Sequence, residues 1–93
     1  MPVVVTVHPH TPGLRIIEVE GVELTDDIGD YLDIRLAEEI DQGIVWSASI
    51  DSNTIAFSLG THPPRTWYVK VIDAIKDFVG TEHEVLSRLS NWP

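Results

Sequence analysis

A chain of 93 residues, 43% hydrophobic and 23% charged, has enough apolar material for one packed core and too little length for a second, so residues 1–93 read as a single domain. Fifteen acidic against six basic side chains set the formal charge at −9, which argues against direct nucleic-acid binding, because phosphate contacts need lysine and arginine. With no cysteine in the sequence, a disulfide framework, a thiolate metal site and a cysteine nucleophile are all excluded.

The first residues carry no basic leader segment with a small-residue cleavage site, and no apolar run approaches the roughly 18 residues a spanning helix needs. The expected compartment is therefore the cytosol, with no membrane association. Val3, Val5 and Val7 alternate with Val4 and Thr6, the pattern of a β-strand that ends in the proline-bearing stretch at residues 8–13. A second strand is expected over residues 14–24, with a bulge at Gly21, where the apolar phase shifts from Ile17 and Val19 to Val22 and Leu24.

Residues 25–41 read as a helix with Thr25 as N-cap and Ile28, Tyr31, Leu32, Leu36 and Ile40 on one face. Ile44, Trp46, Ala48 and Ile50 then alternate with Val45, Ser47 and Ser49, and Ile55, Phe57 and Leu59 with Ala56 and Ser58, and the turn residues Asp51, Ser52 and Asn53 join the two runs into a hairpin. Pro63 and Pro64 suit a helix start, and Tyr68, Val71, Ile72, Ile75, Phe78 and Val79 supply the buried face of the helix that Gly80 stops. The spacing of Thr81 and Glu84 matches a capping box, predicting a last helix with Val85, Leu86, Leu89 and Trp92 on its apolar side. The expectation is an α+β fold in the order ββαββαα: a four-stranded, mainly antiparallel sheet with helices packed on one face.

Charge is the most informative feature for function. Residues 18–41 hold ten acids and one base, Arg35, so this one stretch carries the whole net charge. On a continuous helix Asp26, Asp27, Asp30, Asp33, Glu38 and Asp41 crowd an arc of roughly 140°, interrupted by Ile34 and Ala37. Like charges three or four residues apart repel by a few tenths of a kcal/mol per pair, so the arrangement costs stability. A solvating surface is the plain explanation; the functional one is a docking face for a basic protein surface, with Asp26, Asp30, Asp33, Ile34 and Glu38 as its residues and Ile34 as apolar anchor.

Trp67, beside Arg65 at the edge of its helix's apolar arc, is a candidate interface anchor, since tryptophan and arginine are enriched at binding hot spots. His8 and His10 stand two apart at a strand end, within reach of one metal ion, but two ligands do not complete a site and no metal is assigned. Glu82, His83 and Glu84 point apart on a helix, and no nucleophile elbow, P-loop or other cofactor-binding motif is present, so no catalytic residue and no cofactor are assigned. The leading expectation is a small non-enzymatic interaction module of the inhibitor, immunity or nucleic-acid-mimic kind. Two alternatives stand beside it: a small-molecule or enzymatic pocket near Trp46, Phe57, Tyr68 and the two histidines, and a structural homodimer closed through a sheet edge or face.

Overall fold

The computed structural model describes residues 2–60, 62–64 and 66–89, the last of these by its backbone alone. The elements run β1 (Val3–Pro9), β2 (Leu14–Glu20), α1 (Ile28–Arg35), α2 (Ala37–Asp41), β3 (Val45–Ser49), β4 (Thr54–Ser58), α3 (Trp67–Val79) and β5 (Val85–Leu89). The strands form one mixed sheet in the order β3-β4-β2-β1-β5. All neighbours are antiparallel except β1 and β5, which run parallel.

Alternation in the sequence becomes two sheet faces. Val5 lies opposite Val19 and Val7 opposite Ile17, and Ile17 opposite Ile55, so the odd-numbered residues of these three strands point to one side. There they meet Ile28, Leu32 and Leu36 and, from α3, Val71, Ala74 and Ile75, all buried. The apolar arc read from residues 68–79 is the packed side of α3. Val4, Thr6, His8, Ile16 and Glu18 occupy the other sheet face, which no described helix covers.

Two expectations of the four-stranded ββαββαα order are overturned. The predicted last helix is instead β5, whose residues pair in parallel with β1 from Val3 opposite Val85 to Val7 opposite Leu89. Without β5 the outer backbone edge of β1 would be left unpaired, whereas a helix this short has little intrinsic stability. The amide of Val3 donates to the carbonyl of Glu84 at 2.7 Å, so the segment read as a capping box delivers the chain into the sheet. Trp92, assigned to that helix, lies outside the described residues.

The second correction concerns residues 25–41. The helix starts at Ile28, follows Asp27 with no side-chain cap, and uses the Thr25 carbonyl rather than its hydroxyl, accepting from the Ile28 amide at 3.0 Å. It then breaks at Leu36, with φ −104° and ψ 17°, and restarts as the short α2. In an unbroken helix Glu39 would follow Leu32 by seven residues and share its sheet-facing side. The break re-aims that carboxylate toward α3.

β2 also stops earlier than predicted, at Glu20, and Gly21 makes a turn in place of a bulge. Its φ is +96°, and a Cβ there would come within 2.6 Å of the Pro2 carbonyl oxygen. Gly21→Ala combines backbone strain with a clash against main chain, and should lower the unfolding free energy by about 2 kcal/mol in a urea titration. Among the described residues no helix is long and apolar enough to cross a membrane.

Candidate functional site

The four flanks of α1 are fixed by four pairs of residues one turn apart. Ile28 and Leu32 are buried against the sheet. Gly29 and Asp33 face β3: a Cβ on Gly29 would lie 3.0 Å from Trp46 Cη2, and Asp33 Oδ1 accepts from Trp46 Nε1 at 3.1 Å. Tyr31 and Arg35 face α3, Tyr31 packing edge-on against Phe78 with ring centroids 5.7 Å apart and Arg35 Nε donating to Asp77 Oδ2 at 2.7 Å. Arg35 Nη2 also pairs with the same Asp77 oxygen. Asp30 and Ile34 hold the remaining flank, which faces water, and Ile34 is 75% exposed.

The sequence-derived set is thus partly gathered and partly dispersed. Asp30, Asp33 and Ile34 share the outer side of α1, and Asp26 is exposed in the turn just before it. Glu38 lies beyond the break at Leu36, where its Oε2 stands 3.6 Å from Lys70 Nζ, so it is not continuous with the others along one helix face. Asp33 is exposed yet committed to Trp46, and that bond holds the half-buried indole against the helix instead of wholly in the core. On the α3 side, Tyr31, Ile34, Arg35, Lys70, Asp73 and Asp77 line a groove of about 550 Å³. Ile34 overlooks it from the acidic side.

Beneath this surface lies a buried charge that sequence reading missed. Glu39 is 2% exposed, and its carboxylate accepts from Thr66 Oγ1 at 2.8 Å and lies 3.0 Å from Lys70 Nζ. Burial pushes the Glu39 carboxyl up, but the hydrogen bonds from Thr66, Lys70 and its own backbone amide, together with the Lys70 charge, more than offset it and leave its pKa below the ordinary value. The same bond from Glu39, opposed by desolvation, raises Lys70 above the usual lysine value. The signal was present in the sequence: on the predicted helix a glutamate falls on the apolar face of Leu32, where it must find a partner.

The other candidates do not converge. Trp67 opens α3 half-buried, with its ring 5.5 Å from Phe57 and 5.7 Å from Tyr68, and Arg65 lies outside the described residues. His8 Nε2 is 3.5 Å from Glu18 Oε1 on the helix-free face, while Phe57 is buried on the opposite face, so the residues of the suggested pocket are split by the sheet. Among the described residues no three histidine, aspartate or glutamate side chains cluster in a way that could hold a metal. Glu82 and Glu84 are exposed in the segment leading into β5. Comparison with protein families, with characterised proteins and with solved structures finds no match to this chain.

Proposed function

We propose that this protein is a small non-enzymatic interaction module of the cytosol that docks the outer flank of α1 onto a basic surface of another protein. The reading is carried by one observation: the stretch holding the entire net charge also presents Ile34 at 75% exposure, one helical turn after Asp30 on the water-facing flank of α1. An exposed apolar side chain bordered by carboxylates on one side suits a partner that offers a small apolar hollow beside basic groups. The rest of the chain holds equal numbers of acidic and basic side chains, so the acidic excess is concentrated in the one stretch that includes α1.

The test uses substitutions that leave the internal bonds of Asp33, Arg35 and Glu39 alone. Wild type and an Asp26→Lys, Asp30→Lys, Ile34→Ser variant, both checked for folding by circular dichroism, are used for affinity capture at low and moderate salt, and the retained protein is then titrated. The variant is expected to bind at least roughly tenfold more weakly, and wild-type affinity should fall as salt screens the rim charges. Equal retention by both proteins, indifferent to salt, defeats the proposal. Competition by DNA or RNA would identify the partner's surface as one that also binds phosphate.

A further inference from the structure

The sheet edge beside the acidic flank indicates how a basic partner is held, an inference that rests on the function proposed above. β3 is the outermost strand, and among the described residues it pairs with β4 alone. In an antiparallel pair every second residue turns its N–H and C=O away from the neighbour, so the outer side of β3 is a row of donors and acceptors open to another strand. Edge strands are commonly guarded by charges, prolines or bulges. The run Val45, Trp46, Ser47, Ala48, Ser49 contains no charge and no proline, and its register with β4 is unbroken from Val45 opposite Ser58 to Ser49 opposite Thr54. Val45 is 64% exposed, and Ser47 and Ser49 are exposed as well.

The helix layer alongside this edge is acidic. Asp33 reaches down to Trp46 of β3, and Asp30 lies beside it on α1, both exposed. Asp33, Ile40, Ile44, Val45 and Trp46 line a shallow hollow of about 180 Å³ where the helix layer meets the strand. Any chain added outside β3 would have alternate side chains on the helix side of the sheet, the side on which Asp33 reaches β3. Charge complementarity therefore selects a basic occupant. A second copy, paired strand to strand through β3, would instead bring two flanks of the same sign together.

We propose that β3 accepts an extended basic segment of a partner protein as a sixth strand, with lysine or arginine at every second position turned toward the Asp33 side of α1, Asp30 lying one step further round the helix. Main-chain bonds supply the grip and the alternating charges set register and direction.

Synthetic peptides separate this from simple charge attraction. One peptide alternates lysine with threonine; a second has the same composition with its lysines in a block; a third is the alternating peptide, N-methylated at every second residue on the edge that would meet β3. Binding is measured by calorimetry, and the site by amide shifts and hydrogen exchange of the protein. The alternating peptide should bind at least about tenfold more tightly than the block peptide, slow the exchange of outward amides of β3, and lose that advantage on N-methylation. Equal binding of all three, no binding of any, or shifts confined to α1 would overturn strand addition. Equal binding that is lost in the Asp26→Lys, Asp30→Lys, Ile34→Ser variant would do so while leaving the acidic-flank reading intact. Alternation-dependent binding at β3 that the variant does not weaken would overturn that reading, and with it the basic character of the occupant.

Discussion

Asn53→Leu should lower the unfolding free energy by about 4 kcal/mol, the largest loss expected from a single side chain in the β3–β4 turn. Asn53 sits at φ +57°, in the left-handed region that asparagine tolerates better than most residues. Its Nδ2 donates to the carbonyls of Val19 and Val22, each at 2.6 Å, and its Oδ1 accepts from the Leu24 amide at 2.7 Å. Its own carbonyl accepts from the Val19 amide at 3.0 Å. One side chain therefore satisfies three backbone groups, one at the end of β2 and two in the irregular stretch between β2 and α1, and leucine would leave all three unmet while adding strain.

Two further substitutions at Asn53 separate these contributions. Asn53→Gly relieves the backbone and loses the clamp, so it should be about 1 kcal/mol less damaging than leucine. Asn53→Asp keeps the shape but sets a carboxylate against two carbonyl oxygens, and should fall nearer leucine than wild type. Urea unfolding of the three variants measures the order. Glycine as damaging as leucine would show that backbone strain adds nothing. Because Leu24 leads directly into α1, the clamp also ties the β3–β4 hairpin to the helix that carries Asp30 and Asp33.

Glu39→Ala is expected to cost about 3 kcal/mol at neutral pH, since it removes a buried stem and leaves Thr66 and Lys70 without the acceptor they share. Glu39→Gln, which keeps the volume and an acceptor oxygen, should cost about half as much. The pH dependence follows from the direction of the shift. The folded pKa of Glu39 lies below the ordinary 4.5, so its contribution is fully present above that value and is lost as pH falls through the folded pKa. Acid unfolding of the wild type should therefore include a step below pH 4.5 that is missing from Glu39→Gln. For Lys70, raised above 10.5, the contribution is present below that value and is lost as pH rises through the folded pKa. A variant that unfolds in acid along the wild-type curve would show that the pair contributes nothing in solution.

Most of the sheet was legible residue by residue. β-branched alternation marks β1, apolar alternation marks the paired strands around Asn53, and the arc from Val71 to Ile75 marks α3, because each pattern has the period of its element and one buried side. The exposed side of α1 was legible for the same reason: Asp30, Asp33 and Ile34 are where helical spacing puts them. The break at Leu36 was not, because its cause is a partner more than 25 residues away: Thr66 and Lys70 reward a buried Glu39 that local periodicity can register only as an intruder on an apolar face.

The sequence by itself determined the α+β class, the segregation of charge into residues 18–41, and which side of β1 to β4, α1 and α3 is apolar, since composition and period are local properties. Tertiary structure alone decided the fifth strand, the interrupted helix, and the placing of β3 at the rim of the described sheet, within reach of Asp33. Val85 and Leu86 are apolar enough for a helix or a strand, and Val85 became part of β5 because β1 offered an unpaired backbone edge. Which strand is left at the rim, and which helix lies over it, depends on how every element pairs at once, and no window of neighbouring residues contains that information.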